Sequence, residues 1–296
     1  MSEPLRIVDP HIHLWDLSTG LYPHLEKASI RRGRSNAAIA RSYLIDEYLG
    51  EGAGVVAIEG AVHVEAFPTD RVREARVLQA VADESPVPIR LVANGDLTAP
   101  DFPLLLDRCG EATILRGIRQ VVNRHPSADL NYVDVELMAR PAFLDGLRLL
   151  GTRGLSFDLQ LYPHQMAEAA ALIRHSPDTR IVLNHAGMWA DRDLAGWTAW
   201  KRGLRLLSEQ PNVAVKISGL GMLDADWTVG SIRPLVFETI EAFGIERAMF
   251  ASNFPVDKLY SSFAAVWQGF ADCIRSCSAG EQAAMMRDNA MRIYRF

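Results

Sequence analysis

His11 and His13 stand two apart in the segment Asp9-Pro10-His11-Ile12-His13. That spacing puts both imidazoles on one face of an extended strand. Two such rings sharing one volume can hold a divalent metal or polarise a carbonyl. A third ring, His185, ends the apolar run Arg180-Ile181-Val182-Leu183-Asn184 and is followed by Ala186-Gly187, a turn signal. Taken alone, the pair reads equally well as coincidence, and His185 has the lesser alternative of a strand-end histidine with a hydrogen-bond partner. Three of them at two strand ends define the expected site.

Other apolar runs also close on polar residues. Glu59 and His63 lie in Ile58-Glu59-Gly60-Ala61-Val62-His63, Arg116 and Arg119 in Leu115-Arg116-Gly117-Ile118-Arg119, and Gln160 and Tyr162 in Asp158-Leu159-Gln160-Leu161-Tyr162. Lys216 interrupts Val213-Ala214-Val215-Lys216-Ile217. These residues are expected to line the substrate. Arginine meets planar carboxylates through paired hydrogen bonds, and a tyrosine hydroxyl in the mouth could steady an oxyanion. A lysine inside an apolar strand needs a partner or a wet lumen. Arg116 and Arg119 are three apart and so face opposite sides, unless a bulge re-aims one; Arg119, nearer the strand's end, is the favoured anchor. The plainer alternatives are a rim histidine, an arginine paired at the surface and a packing tyrosine. His24, His125, His164 and His175 read as loop or helix-end residues.

The elements that must position these side chains follow one rhythm: a short apolar run, then a longer helical stretch. The runs are Arg6–His13, Val55–His63, Pro88–Gly95, Thr113–Val122, Leu155–Leu161, Arg180–His185, Val213–Ser218 and Ala248–Asn253. Runs rich in Val, Ile and Leu suit parallel strands covered on both faces. Helical candidates between them include Asp70–Glu84, Phe102–Cys109, Arg140–Arg153, Pro163–His175 and Ile232–Phe243, and Gly280–Phe296 reads as a closing helix. Eight such repeats predict a TIM (β/α)8 barrel of the α/β class, distorted, in one domain over 1–296. No Gly-x-Gly-x-x-Gly follows the first strand, which weakens a nucleotide-binding alternative. The segment Leu14–Leu44 is long for a first strand–helix connection and is expected to shape the pocket, with Trp15, Tyr22 and Trp189 as walls.

Composition bounds the rest. A chain of 296 residues with 49% hydrophobic and 23% charged residues can fill one barrel core. Its net charge of −5 argues against a nucleic-acid partner, and the cluster Arg31, Arg32, Arg34 reads as a solvated loop. No apolar run is long enough for a membrane span. The amino terminus has no leader pattern, and Cys109, Cys273 and Cys277 give no disulfide framework, the last two being expected in one helix. A cytoplasmic enzyme is the default expectation.

The segments Val8-Asp9-Pro10-His11-Ile12-His13-Leu14-Trp15-Asp16, Gln160-Leu161-Tyr162, Asn184-His185-Ala186-Gly187 and Ser252-Asn253-Phe254-Pro255-Val256-Asp257 fall in an order that resembles one known group. The chain is similar to the amidohydrolase-related TIM-barrel hydrolases of the branch with sugar-acid lactonases (fuconolactonase-like) and 2-pyrone-4,6-dicarboxylate lactonase. The resemblance implies that His11, His13 and His185 line the site and that a strand-eight aspartate acts as base or metal ligand. Here that position is Asn253. An amide is neither a base at neutral pH nor an anionic ligand, so Asp257, one turn on, becomes the alternative carboxylate.

The expected activity is therefore opening of a lactone of a sugar acid or aromatic catabolite. A divalent metal (Zn or Mn) on His11, His13 and His185 would polarise the carbonyl or activate water, with Asp257 as base and Arg119 and Lys216 anchoring a carboxylate-bearing small-molecule substrate. The alternatives are a metal-free hydrolase or decarboxylase on the same barrel, or a barrel that only binds a ligand. The sequence leaves the substrate, the metal and a homo-oligomeric assembly open.

Overall fold

The computed structural model describes residues 4–31 and 34–296. Its main sheet has eight strands in sequence order: β1 (Leu5–Ile12), β2 (Val56–Val64), β3 (Ile89–Asn94), β4 (Leu115–Val121), β5 (Ser156–Gln160), β6 (Ile181–Leu183), β7 (Val213–Ile217) and β8 (Ala248–Phe250). All neighbouring pairs from β1 to β8 are parallel. The last seam closes through the residues after β8: the Asn253 N–H donates to His11 O (2.9 Å) and the His13 N–H to Phe254 O (2.7 Å). Asp9 reinforces that seam by accepting from the Ser252 N–H (3.0 Å) and the Tyr48 hydroxyl (3.2 Å). The result is a nearly closed TIM barrel, as the strand–helix rhythm predicts.

Helices α1 (Ile45–Glu51), α2 (Arg71–Glu84), α3 (Phe102–Cys109), α4 (Pro141–Thr152), α5 (Met166–Ile173), α6 (Leu194–Ser208), α7 (Val229–Phe243) and α8 (Phe263–Cys273) surround the sheet. Local sequence sets several starts. Asp70 caps α2 by accepting from the Arg73 N–H, and Asp193 does the same for α6 from Gly196. Thr228 and Ser231 form a reciprocal cap, so α7 begins three residues before the expected Ile232. The Pro163–His175 stretch divides into a 3-10 turn (Pro163–Gln165) and α5. Cys273 ends α8 and Cys277 lies beyond it, so the two cysteines do not share a helix; all three cysteines are free.

Two apolar layers arise from strand alternation. Ile7, Leu91, Ile118, Phe157, Leu159, Ile181, Leu183, Val215 and Phe250 pack outward against the helices. Val8, Val62, Val64, Val92, Val182, Ala214 and Met249 form a separate inner cluster with Ala290, Ile293 and Tyr294. Those three come from the closing segment, which is α9 (Ala279–Ala283), a π-helical turn (Ala284–Asp288) and α10 (Asn289–Tyr294) rather than one helix. Hence α10 plugs the amino-terminal end of the lumen and leaves the carboxyl ends of the strands as the open mouth. No helix among the described residues is long and apolar enough to cross a membrane. The expectation for Arg31, Arg32 and Arg34 falls outside the described side chains except Arg34, which pairs with Asp226 at 3.3 Å.

Candidate active site

Strict alternation from Val8 would aim His11 outward. The pairing of β1 with β2 shifts between Asp9↔Ala61 and Ile12↔His63, three steps on one strand against two on the other. This bulge returns Ile12 to the outer layer and brings His11 and His13 to the lumen side. The His11 ring then lies 5.1 Å from His13 and 4.6 Å from His185, centroid to centroid. The three histidines meet.

His185 arrives by a different device. After β6 the backbone turns left-handed over four residues: His185 (φ 55°), Ala186 (47°), Gly187 (71°) and Met188 (46°). Non-glycine residues hold this conformation at a cost of about 1–3 kcal/mol each, so neighbours must fix it. The Trp200 indole donates to Ala186 O (2.7 Å), and His185 Nδ1 bonds Ser218 Oγ (2.9 Å). Gly219 permits the approach, since a Cβ there would sit 2.6 Å from His185 Nδ1.

Burial holds all three imidazoles well below their ordinary pKa, so they are neutral. The positive charge of Lys216 adds to this most at His11, and that of Arg119 at His13 and His185. His13 Nδ1 lies 2.7 Å from Val64 O. A carbonyl only accepts, so the proton is on Nδ1 and Nε2 keeps its lone pair. Both His11 nitrogens are buried without a hydrogen-bond partner among the described residues.

Arg119 lies beside this trio. Its Nε donates to Glu65 Oε1 (2.7 Å), its Nη2 to Glu65 O (2.6 Å) and its Nη1 to Gln160 Oε1 (3.4 Å). Below it, Lys216 Nζ meets Asp158 Oδ2 at 2.6 Å with neither side chain exposed. The Tyr294 hydroxyl reaches both Asp158 oxygens at 3.0 Å, and Asn184 Nδ2 donates to Oδ2 at 3.2 Å. Both cations expected to meet substrate anions are therefore already matched by buried carboxylates.

Other expected site residues lie elsewhere. His63 faces the helix layer: its Nδ1 accepts from the Leu14 N–H (3.0 Å) and its Nε2 faces Glu74 of α2 at 3.5 Å. It has the parity of Ala61, opposite to Val62 and Val64, which explains the placement. Glu59 pairs with Arg6 and Arg287, and Arg116 donates to the Arg295 and Thr113 carbonyls, both away from the mouth. The Tyr162 hydroxyl is spent on Leu130 O at 2.7 Å, so it is committed to packing rather than to an oxyanion. Trp15 and Tyr22 join the core, Tyr22 donating to Glu74, while Trp189 packs with Trp197 and Trp200.

Asn253 (φ 59°) donates its Nδ2 to Asp257 Oδ2, and the Gly221 N–H donates to Asp257 Oδ1 at 3.1 Å. Asp257 thus has both oxygens engaged. Burial pushes its pKa up to about 7 against those two hydrogen bonds. Glu65 and Ser218 were not foreseen. Ser218 lies two residues beyond the inward Lys216, so alternation continued past the strand end could have found it; Glu65 shares the outward parity of His63, and only the turn after β2 brings it to Arg119.

Among the described residues no three His, Cys, Asp or Glu side chains, the meeting histidines included, are placed so that they could hold one metal ion. Three imidazoles are a sufficient zinc set in principle, so the misfit lies in their placement and not in their type. As placed, these residues do not fit a resident divalent metal.

The amidohydrolase family model matches residues 8–296. A Sinorhizobium fredii protein described as uncharacterized (y4mH) is 42% identical over 98% of this chain and 99% of its own. An L-fucono-1,5-lactonase of Burkholderia multivorans is 29% identical over 97% and 95% of the two chains. A crystal structure of an amidohydrolase from Burkholderia multivorans with bound zinc superposes with a TM-score of 0.79 at 26% identity, covering 98% and 99% of the two chains.

Proposed function

The chain belongs to the amidohydrolase family, and from that premise we propose that it opens an uncharged lactone of the sugar-acid type, with His13 as general base and Arg119 as the oxyanion's partner. One observation carries the reading. Consecutive carbonyls at the end of β2, Val64 O and Glu65 O, hold His13 Nδ1 and Arg119 Nη2. A base oriented by a third group, beside a donor for developing negative charge, is the arrangement acyl transfer needs.

In the first step a water oxygen bonds to the lactone carbonyl carbon while His13 Nε2 takes its proton. The carbonyl π pair moves to oxygen, and Arg119 N–H groups not used by Glu65 or Gln160 stabilise it. In the second step the carbonyl re-forms, the ring C–O bond breaks, and the leaving alkoxide recovers the proton from His13. The product hydroxy acid then ionises to solvent. His11, with both nitrogens uncommitted, supplies a hydrogen bond to the substrate. Asp257 keeps Asn253 oriented instead of acting as base.

The charge balance supports a neutral substrate. A pyrone dicarboxylate would need cations free to receive it, whereas Arg119 and Lys216 are engaged with Glu65 and Asp158. The lactonase relative of Burkholderia multivorans points the same way. The test is a panel of neutral sugar-acid lactones and anionic pyrones followed by proton release. Turnover of the neutral set is expected; turnover of the anionic set alone sinks the proposal.

A further inference from the structure

A cavity of about 670 Å³ opens beyond the carboxyl ends of β4, β5 and β6, lined by Arg124, His125, Pro126, His164 and Asp191. The three catalytic-site histidines are not part of its lining. Its volume lies within the range of about 300–1,000 Å³ typical of pockets that bury a whole drug-sized ligand. It adjoins the histidine site through β5: Gln160 accepts from Arg119, and Tyr162, two residues on, packs against the cavity histidines.

The lining has the chemistry of a hydroxyl-rich ligand. The His164 ring stacks on Tyr162 (6.3 Å, 20°) and His125 meets Tyr162 edge-on (5.3 Å), giving flat surfaces beside polar groups. Arg124 is ion-paired with Glu136, and His125 Nε2 lies 3.4 Å from Asp191 Oδ1. His125 Nδ1 accepts from the Ser127 N–H at 3.0 Å, so Nε2 carries the donor proton toward Asp191. Donors and acceptors therefore alternate around the cavity with their charges balanced. An anion would confront Asp191; a sugar hydroxyl, which both donates and accepts, suits both kinds of group.

We propose that this cavity is a second subsite of the same active site and takes a further sugar unit carried by the lactone. The preferred substrate is then the lactone of an oligosaccharide acid, larger than one ring. The inference rests on the lactonase reading above, so its test is arranged to separate the two.

The experiment compares D-glucono-1,5-lactone with cellobiono-1,5-lactone in wild type, Arg124→Ala and His164→Ala, with calorimetric titration of methyl β-cellobioside in parallel. The disaccharide lactone is expected to have a kcat/KM about tenfold higher, through KM, and either substitution to bring that ratio toward one. Thermal unfolding checks that the variants fold. Equal kcat/KM values in wild type, or a ratio unmoved by both substitutions, overturn the subsite. If neither lactone is hydrolysed, the lactonase reading is decided by the neutral panel above and the titration decides the subsite alone. Cellobioside binding weakened about tenfold by His164→Ala then supports it, and absence of binding overturns it.

Discussion

His13 and Arg119 come from strands that are not neighbours, yet they hang from adjacent carbonyls, those of Val64 and Glu65. The end of β2 thus fixes the distance between a proton acceptor and a fork of N–H donors. Both holds are made by backbone carbonyls, and the Glu65 side chain adds a third by accepting from Arg119 Nε at 2.7 Å.

Replacing His13 by Gln should lower kcat by about 10²–10⁴, the usual value of a positioned general base. Arg119→Lys keeps the charge but loses the planar fork, and should cost about 10²–10³ in kcat. Steady-state kinetics on the best neutral lactone would read both. A His13→Gln enzyme within threefold of wild type would remove histidine from the base role.

The acid limb of the pH–rate profile should lie well below pH 6.5. Burial and the Arg119 charge lower the His13 pKa, so the unprotonated, active form persists as the pH falls. A limb near pH 7 that vanishes in Asp257→Asn would instead assign the base to Asp257, whose carboxyl is raised to about 7.

Exhaustive chelation should leave kcat/KM unchanged within about twofold, because no three candidate ligands among the described residues are placed to hold a metal ion. Elemental analysis alongside the assay checks this. Loss of activity on chelation, restored by zinc or manganese, would overturn the metal-free steps.

Lys216→Met should destabilise the fold by about 3–5 kcal/mol, since it leaves Asp158 buried without its ammonium partner. The double variant Lys216→Met with Asp158→Leu should recover much of that loss. Urea unfolding of the set measures it, and equal destabilisation in single and double variants would contradict the pairing argument.

Asp257 should make stability fall as pH rises from about 4 to about 7. Its folded pKa is raised from 3.8 to about 7, so in that window the folded chain binds more protons than the unfolded one. The penalty, on the order of 4 kcal/mol, is complete above pH 7. Asp257→Asn should flatten that part of the curve, leaving the smaller fall from Asp9, raised to about 6 by burial. Urea midpoints at pH 5 and pH 8 for both proteins give the comparison.

Periodicity and composition determine the barrel itself: apolar runs of strand length followed by helical stretches admit few other closures. The strand ends also name His11, His13, His185 and Arg119, because barrel chemistry collects where strands finish. Tertiary structure alone decides which neighbours these residues have. His63 looks like a site histidine until strand parity turns it toward Glu74, and His11 reaches the lumen only because a bulge resets that parity. Lys216 and Arg119 look like free anchors until residues 58 and 54 positions away neutralise them. Side-chain period is a local property that a chain carries in its letters. Charge pairing and register shifts join distant segments, and they exist only once the barrel has closed.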